Sequence, residues 1–237
     1  MTLLTVTRDV CEAVGVTQPT SVFSGINANR TMQEMLALAN EMAQRIAADT
    51  RDWTALTALA VFTGDGVTTD WPMPADYQRM LKTSNVWGSV DTQTPLRFIN
   101  DADQWMQRRA RNFTDSRGEW IILGRRMKIY PAMSSGATAS FAYLHRNAVA
   151  LASAGYGDSF MADNDGFVLG DRILKLGMIW QWKANKGAPY AEDMGSYSDA
   201  LVNMMGSDQP APTFIGRSPI SASARVAIPW PSSWGPQ

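Results

Sequence analysis

The chain has one cysteine and one histidine in 237 residues, Cys11 and His145. A lone cysteine allows no intramolecular disulfide and suits a reducing compartment. One Cys and one His cannot build a Cys/His zinc site, so neither a metal nor a cofactor is expected. Charge is scarce as well. Only 18% of residues are charged, and 21 Lys and Arg nearly cancel 22 Asp and Glu to leave a formal net charge of -1. A balance near zero gives no long-range pull toward nucleic acid or an anionic membrane. No apolar run approaches the ~20 residues that span a bilayer, so no membrane partner is expected. The opening Met1-Thr2-Leu3-Leu4-Thr5 lacks the basic and long apolar regions of a signal peptide, and none is expected.

What is present is apolar and aromatic: 45% hydrophobic residues, with nine Trp and fourteen Met. Few charges with many aromatics fit either a large core or a subunit that buries further surface in an assembly. The most informative stretch is 206–237. It holds Pro210, Pro212, Pro219, Pro229, Pro231 and Pro236, half of the twelve prolines. Its charges are Asp208, Arg217 and Arg225, and it carries Phe214, Ile215, Ile220, Val226, Ile228, Trp230 and Trp234. Solvated tails are rich in charge and poor in aromatics, the reverse of this segment. Proline fixes φ, removes a donor and biases its predecessor away from helix, so an extended strap is expected. Such a strap needs a surface, on its own body or on another subunit.

Elsewhere the periodicity alternates between helix and strand. Leu3, Val6, Val10 and Val14 predict a first helix closed by Gly15. Thr31 and Glu34 form a capping-box pattern ahead of Met32, Met35, Leu36, Ala39, Met42, Ala43 and Ile46, a helix expected to reach Asp49 with Trp53 beneath its end. The segments 56–63 and 67–71, joined by Gly64-Asp65-Gly66, read as a hairpin. The segments 79–87 and 95–99 read as a second strand pair. Asp101 caps a short helix over 102–111, and 119–123 and 126–130 form a hairpin around Gly124-Arg125. A further strand is expected over 137–146. Ile173, Leu176, Gly177 and Trp180 share a helix face, with Lys183 and Lys186 before Gly187. Pro189 suits the first position of a last helix, whose stripe is Tyr190, Met194, Tyr197, Leu201 and Met204. The expected fold is α+β: an antiparallel helical bundle from 1–53 and 151–205, an inserted antiparallel β domain at 54–150, and an extended arm at 206–237.

Candidates for chemistry are weak beside structural readings. His145 lies in the strand-like Ala142-Tyr143-Leu144-His145-Arg146, with no nucleophile elbow in the chain. Asp101, Asp103, Asp115 and Glu119 offer chance carboxylate pairs, and Asp101 already has a capping role. Asp163-Asn164-Asp165-Gly166 opens like a calcium loop, but Leu174 stands where the closing Glu would be, so a polar turn is the reading. No catalytic or metal-binding residue is assigned, and no enzyme activity is expected. The uneven charge lies in Arg108, Arg109, Arg111, Arg117, Arg125, Arg126 and Lys128, interleaved with Trp105, Phe113 and Trp120. Three roles fit it: a phosphate-facing patch for DNA, a contact with a neighbouring subunit, or a solvated face.

Taken in order, the segments resemble a known family. Leu3-Leu4-Thr5-Val6-Thr7-Arg8-Asp9-Val10 up to Gly15-Val16, then Leu36-Ala37-Leu38-Ala39-Asn40-Glu41 and Arg51-Asp52-Trp53-Thr54-Ala55-Leu56, are similar to the head-to-tail adaptors of tailed bacteriophages, the tail accessory factors and tubular ring proteins below the portal. Ala75-Asp76-Tyr77, Leu123-Gly124, Tyr130-Pro131-Ala132 and Phe141-Ala142-Tyr143 fit the same pattern. So do Leu174-Lys175-Leu176-Gly177-Met178-Ile179-Trp180-Gln181-Trp182-Lys183, Tyr190-Ala191-Glu192-Asp193 and Tyr197. The resemblance covers residues 1–205 and transfers no catalytic signature. It implies a virion structural protein made in the host cytoplasm, in a ring of usually twelve copies, with portal and downstream tail proteins as partners and DNA passing through the centre. On that reading Phe214, Ile215, Ile228, Trp230 and Trp234 dock the arm on the portal or a neighbour. The alternatives are another tail tube or nozzle ring component, a nucleic-acid-binding module using 108–128, and a peptidoglycan-degrading enzyme.

Overall fold

Short local signals open and close the helices. In the computed structural model, which describes residues 2–24, 29–49, 51–90, 94–113 and 115–208, Thr2 caps helix α1 (Leu3–Ala13) by accepting the Thr5 N–H. The end of α1 is a Schellman turn. Gly15 sits at φ 72°, its N–H reaches Glu12 O, and the Val16 N–H reaches Cys11 O. Helix α2 (Arg30–Gln44) runs on through a π-helical turn over Arg45–Asp49. The expected capping box does not form: Asn29 is the cap and takes the Thr31 and Met32 N–H groups, while Glu34 pairs with Arg30 and Lys186. Asn is as good an N-cap as Thr, and the side chain one turn inside was already committed elsewhere. The Trp53 indole N–H reaches back 2.8 Å to Ile46 O, tying the π turn to the chain that follows.

Strands β1 (Thr57–Thr63), β2 (Asp70–Pro72), β3 (Tyr77–Met80), β4 (Trp87–Gly88) and β5 (Arg97–Phe98) come next, then helix α3 (Ala102–Ala110) capped by Asp101. Strands β6 (Glu119–Leu123), β7 (Arg126–Tyr130) and β8 (Thr138–His145) follow, with three two-residue strands, β9 (Val149–Ala150), β10 (Tyr156–Gly157) and β11 (Gly166–Phe167). Helices α4 (Asp171–Asn185) and α5 (Ala191–Ser207) end the described chain. The fold is thus mixed α+β, with its strands in three sheets ordered β1-β8-β3 with β4 also on β8, β2-β7-β6-β5, and β10-β9-β11.

Two expected pairings are corrected. β1 does not turn back onto β2; it pairs with β8, while β2 pairs with β7. The Gly64-Asp65-Gly66 turn explains this. The Gly64 N–H donates to Ala137 O and the Gly66 N–H to Met133 O, so the turn is fastened to the segment before β8. The Asp65 carboxylate takes the Val67 and Thr68 N–H groups and steers the chain away from β1. Nor do 79–87 and 95–99 form a strand pair: a single backbone bond, Leu96 N–H to Val86 O, joins them, while β3 and β4 lie on β8 and β5 runs parallel to β6, the one parallel pairing among the described strands. The β6–β7 hairpin is as expected, with Gly124 and Arg125 both left-handed at φ 58° and 59°.

Apolar side chains form separate cores. The helical one joins Leu3, Val6 and Val10 of α1, Met35 and Met42 of α2, and Leu174 and Met178 of α4. α4 lies against α1, α2 and α5. Its Gly177 is the close-approach point: an added Cβ would come 2.6 Å from Met42 Cε and 3.3 Å from the Tyr197 ring. α4 ends in a second Schellman turn, with Gly187 at φ 70° and the Ala188 N–H on Lys183 O. Pro189 lies outside the helix, because Tyr190 is the cap and α5 starts at Ala191. The stripe expected on α5 is only partly covered: Tyr197 is buried, Tyr190 and Met194 are exposed. A second core packs Met127, Ile129, Phe141 and Tyr143 between the larger sheets, and Ile99, Trp105 and Ile121 hold α3 on its sheet.

Candidate functional site

The basic cluster folds around three carboxylates. Glu119, at the start of β6, is fully buried. Arg108 and Arg109 from the last turn of α3 both ion-pair with it, Arg109 at 2.5 Å. Arg109 also lies over the rings of Tyr130, 3.5 Å from its centroid, and Trp105, at 4.6 Å. Among the described residues its Nε and Nη1 have no hydrogen-bond partner, and these π faces receive their charge instead. Arg108 covers Phe113. Arg97 and Arg117 share Asp115, whose carboxyl is held down to about 2 by the Arg117 N–H and guanidinium. Arg126 and Lys128 share Asp70, contributed by β2. Among the described residues, Arg111 and Arg125 carry no ion pair. The sequence placed only Asp115 and Glu119 near this cluster; Asp70 was out of reach because β2 joins β7 from 56 positions upstream.

The acidic turn is a fastening. Asp163 accepts the Val22 N–H at 2.7 Å and the Ser21 hydroxyl. Asp165, 1% exposed, accepts three backbone N–H groups, from Ala152 at 2.8 Å, Met161 at 2.6 Å and Ala162 at 2.7 Å. The backbone carbonyls of the same two residues take the Leu3 and Leu4 N–H groups at the front of α1. Burial alone would raise the Asp165 pKa, but the three amide donors outweigh it and hold it below the usual carboxylate range. His145 sits half-buried at the end of β8, its ring 6.5 Å from Tyr156. Cys11 is buried, and burial pushes its thiol up, away from the reactive thiolate. Asp101 and Asp103 belong to the first turn of α3.

The proposed docking residues of the arm, Phe214, Ile215, Ile228, Trp230 and Trp234, lie outside the described residues. The root of the arm is inside them. Asp208 accepts the Thr54 N–H at 3.1 Å and the Thr54 hydroxyl, and lies 3.8 Å from Arg51. Arg51 in turn donates to Met205 O and covers the Trp53 ring. The segment therefore leaves the body beside the link between α2 and β1.

That link leads to a surface the sequence reading passed over. The outward row of β1, Leu59 at 76% and Val61 at 59% exposure, faces solvent. Val61 lies opposite Ser140, and Ser140 opposite Trp87 of β4, which is 43% exposed, so Val61 and Trp87 flank a serine on one face of three strands. The alternation over 57–63 was visible, but assigning β1 to the wrong partner hid which face stays uncovered.

No curated protein matches the sequence. A family model described as SU10 adaptor protein matches residues 1–217. The match spans the whole described body and enters the strap as far as Phe214 and Ile215, beyond the limit of 205 that the motif resemblance reached; Ile228, Trp230 and Trp234 lie past it. The chain belongs to the SU10 adaptor protein family, a family of bacteriophage head-to-tail adaptors.

Proposed function

We propose that the protein is a virion structural component that forms a ring below the portal, connects the capsid to the tail and lines the channel through which DNA passes. The observation that carries this reading is the family match, which extends from the first helix into the strap. The chemistry of the body supports it. The carboxylates singled out in the sequence serve as caps, ion-pair centres and amide acceptors, while apolar rows on β1 and α5 stay exposed. A subunit whose work is contact has that distribution.

In this reading the helical faces and the sheets meet neighbouring subunits, and the arm carries Phe214, Ile215, Trp230 and Trp234 to the portal. Each such side chain contributes about 1.5–3 kcal/mol when buried, before ordering costs. Repetition around a ring turns a modest single contact into high avidity. The basic cluster suits a subunit contact or a channel wall better than a DNA-binding module, because its guanidinium groups are shared among Asp70, Asp115 and Glu119. A wall without strong net charge lets DNA pass without holding it. Purified protein mixed with the portal of the same virion should give a coaxial ring in electron micrographs. Failure to form any complex with that portal would overturn the reading.

A further inference from the structure

Helix α5 has a face that no described residue covers. Of its 17 residues only Tyr197 is buried, against Trp180 of α4. At ~100° per residue, Gly195, Asp199 and Val202 stand opposite Tyr197, with Glu192 beside them. All four are exposed, Val202 at 66%. The helix holds three acids and no Lys or Arg. Asp193 pairs with Lys183 of α4; Glu192 and Asp199 have no ion pair among the described residues. Gly195 has no left-handed φ, and a Cβ added to it meets nothing within 4 Å. Glycine inside a helix is less stable than alanine, so neither backbone nor packing within one chain accounts for it. A partner that comes close to the helix backbone does.

A face of the opposite sign lies at the end of α3. Phe113 is 52% exposed; Arg108 covers its ring and Arg109 donates to its carbonyl. Arg97 and Arg117 share Asp115, and Arg111 is exposed with no ion pair among the described residues. These five guanidinium groups meet two carboxylates, Asp115 and Glu119, so positive charge is in surplus around an exposed aromatic ring. The imbalance extends to the surrounding units. Residues 54–150 carry eleven Lys and Arg against eight Asp and Glu, and residues 151–208 carry four against eight.

We infer that the outward face of α5 in one copy seats on the Phe113 face of a second copy of this chain. Charge decides the pairing. Two α5 faces would set Glu192 and Asp199 against their like, and two Phe113 faces would set arginine against arginine, so a symmetric contact through either face is repelled. Each face finds its opposite sign on the other. Glu192 and Asp199 stand two turns apart, about 10 Å, with Gly195 between them. The Phe113 ring seats over that glycine beside Val202, and Arg111 and Arg117 fork onto the two carboxylates. Within one chain the faces belong to separate units, since α5 packs on α4 and α3 on β6. A contact between unlike faces is head-to-tail, repeats from copy to copy and closes into a ring where the rotation allows. The inference rests on the ring reading and names the faces that build it.

The test is sedimentation of the full chain and its charge reversals, without portal. Asp199→Lys and Arg111→Glu each reverse one exposed charge that has no ion pair, so both variants should keep the melting temperature. In low salt, where exposed charges are least screened, the full chain should sediment as an oligomer and each variant as a monomer. An equal mixture of the two variants should regain the oligomer, since the reversed faces now attract each other and the unchanged faces still pair. Gly195→Gln fills the floor of the contact without changing charge and should also leave a monomer. A monomeric full chain, variants that keep the full chain's mass, or a mixture that stays monomeric would each overturn the inference. Variants that keep their mass and still form a ring on the portal would move the contact to other faces and leave the ring reading standing. Duplex DNA held by a monomeric full chain and released by Arg111→Glu would give the Phe113 face to DNA and overturn the inference as well.

Discussion

Asp165 shows how much a single buried carboxylate does in this chain. It satisfies three amides of two loops, and its own carbonyl holds the front of α1. Asp165→Ala strands buried donors, and leaving such groups unpaired costs about 1–3 kcal/mol. The expected outcome is a lower melting temperature with the secondary structure retained, checked by thermal denaturation followed by circular dichroism. The pH dependence has a definite sign. The folded-state pKa of Asp165 is depressed, so its contribution is complete above the ordinary carboxylate pKa and is lost as pH falls through the folded value. Asp115 behaves alike, over the window from its ordinary 3.8 down to about 2. Carboxyl NMR should find Asp115 still charged at pH 3 and a higher pKa in Arg117→Ala. Gly64 is constrained for a different reason: a Cβ there would sit 2.5 Å from Ser134 O and 2.7 Å from Met133 O. Those are backbone atoms at the turn that sends β1 to β8, so Gly64→Ala should destabilise by roughly 1–3 kcal/mol in denaturant unfolding.

At the scale of elements, α3 is held on its sheet by the pairing of Arg108 and Arg109 with Glu119, together with Trp105. Breaking a buried ion pair on one side leaves an uncompensated charge, typically 3–5 kcal/mol. Glu119→Gln should therefore lose far more stability than Asp70→Asn, whose partners are solvated, and chemical denaturation of the two variants checks the order. The sequence told these elements apart unevenly. The β6–β7 hairpin was legible because both strands and the Gly124-Arg125 turn lie within a dozen residues. α3 was legible from Asp101 and Trp105. The partner of β1 was not, because alternation marks a strand without naming its neighbour, and β8 lies some eighty positions on. For the same reason the basic cluster read as uneven charge until β2 brought Asp70 to it.

For the whole molecule, the question is how a force on the strap reaches the body. The clamp of Asp208 on Thr54, with Arg51 holding Met205 O, joins the end of α5 to the link between α2 and β1. A strap rooted there loads both the helical core and the sheet, where one rooted on a free helix end would fray a single turn. A rooted strap also leaves fewer residues to order when it docks. Removing residues 209–237 leaves this clamp whole, so the truncated protein should keep its melting temperature while losing portal binding. Asp208→Ala does the opposite: every apolar contact of the strap remains, but its root is released. Each extra residue ordered on docking costs about 1–2 kcal/mol of backbone entropy, so binding should weaken roughly tenfold for the first residue freed. Titrating portal against the full chain, the truncation and Asp208→Ala separates the two contributions. Equal affinity for the full chain and Asp208→Ala would show that the strap acts as a tether whose root carries no load.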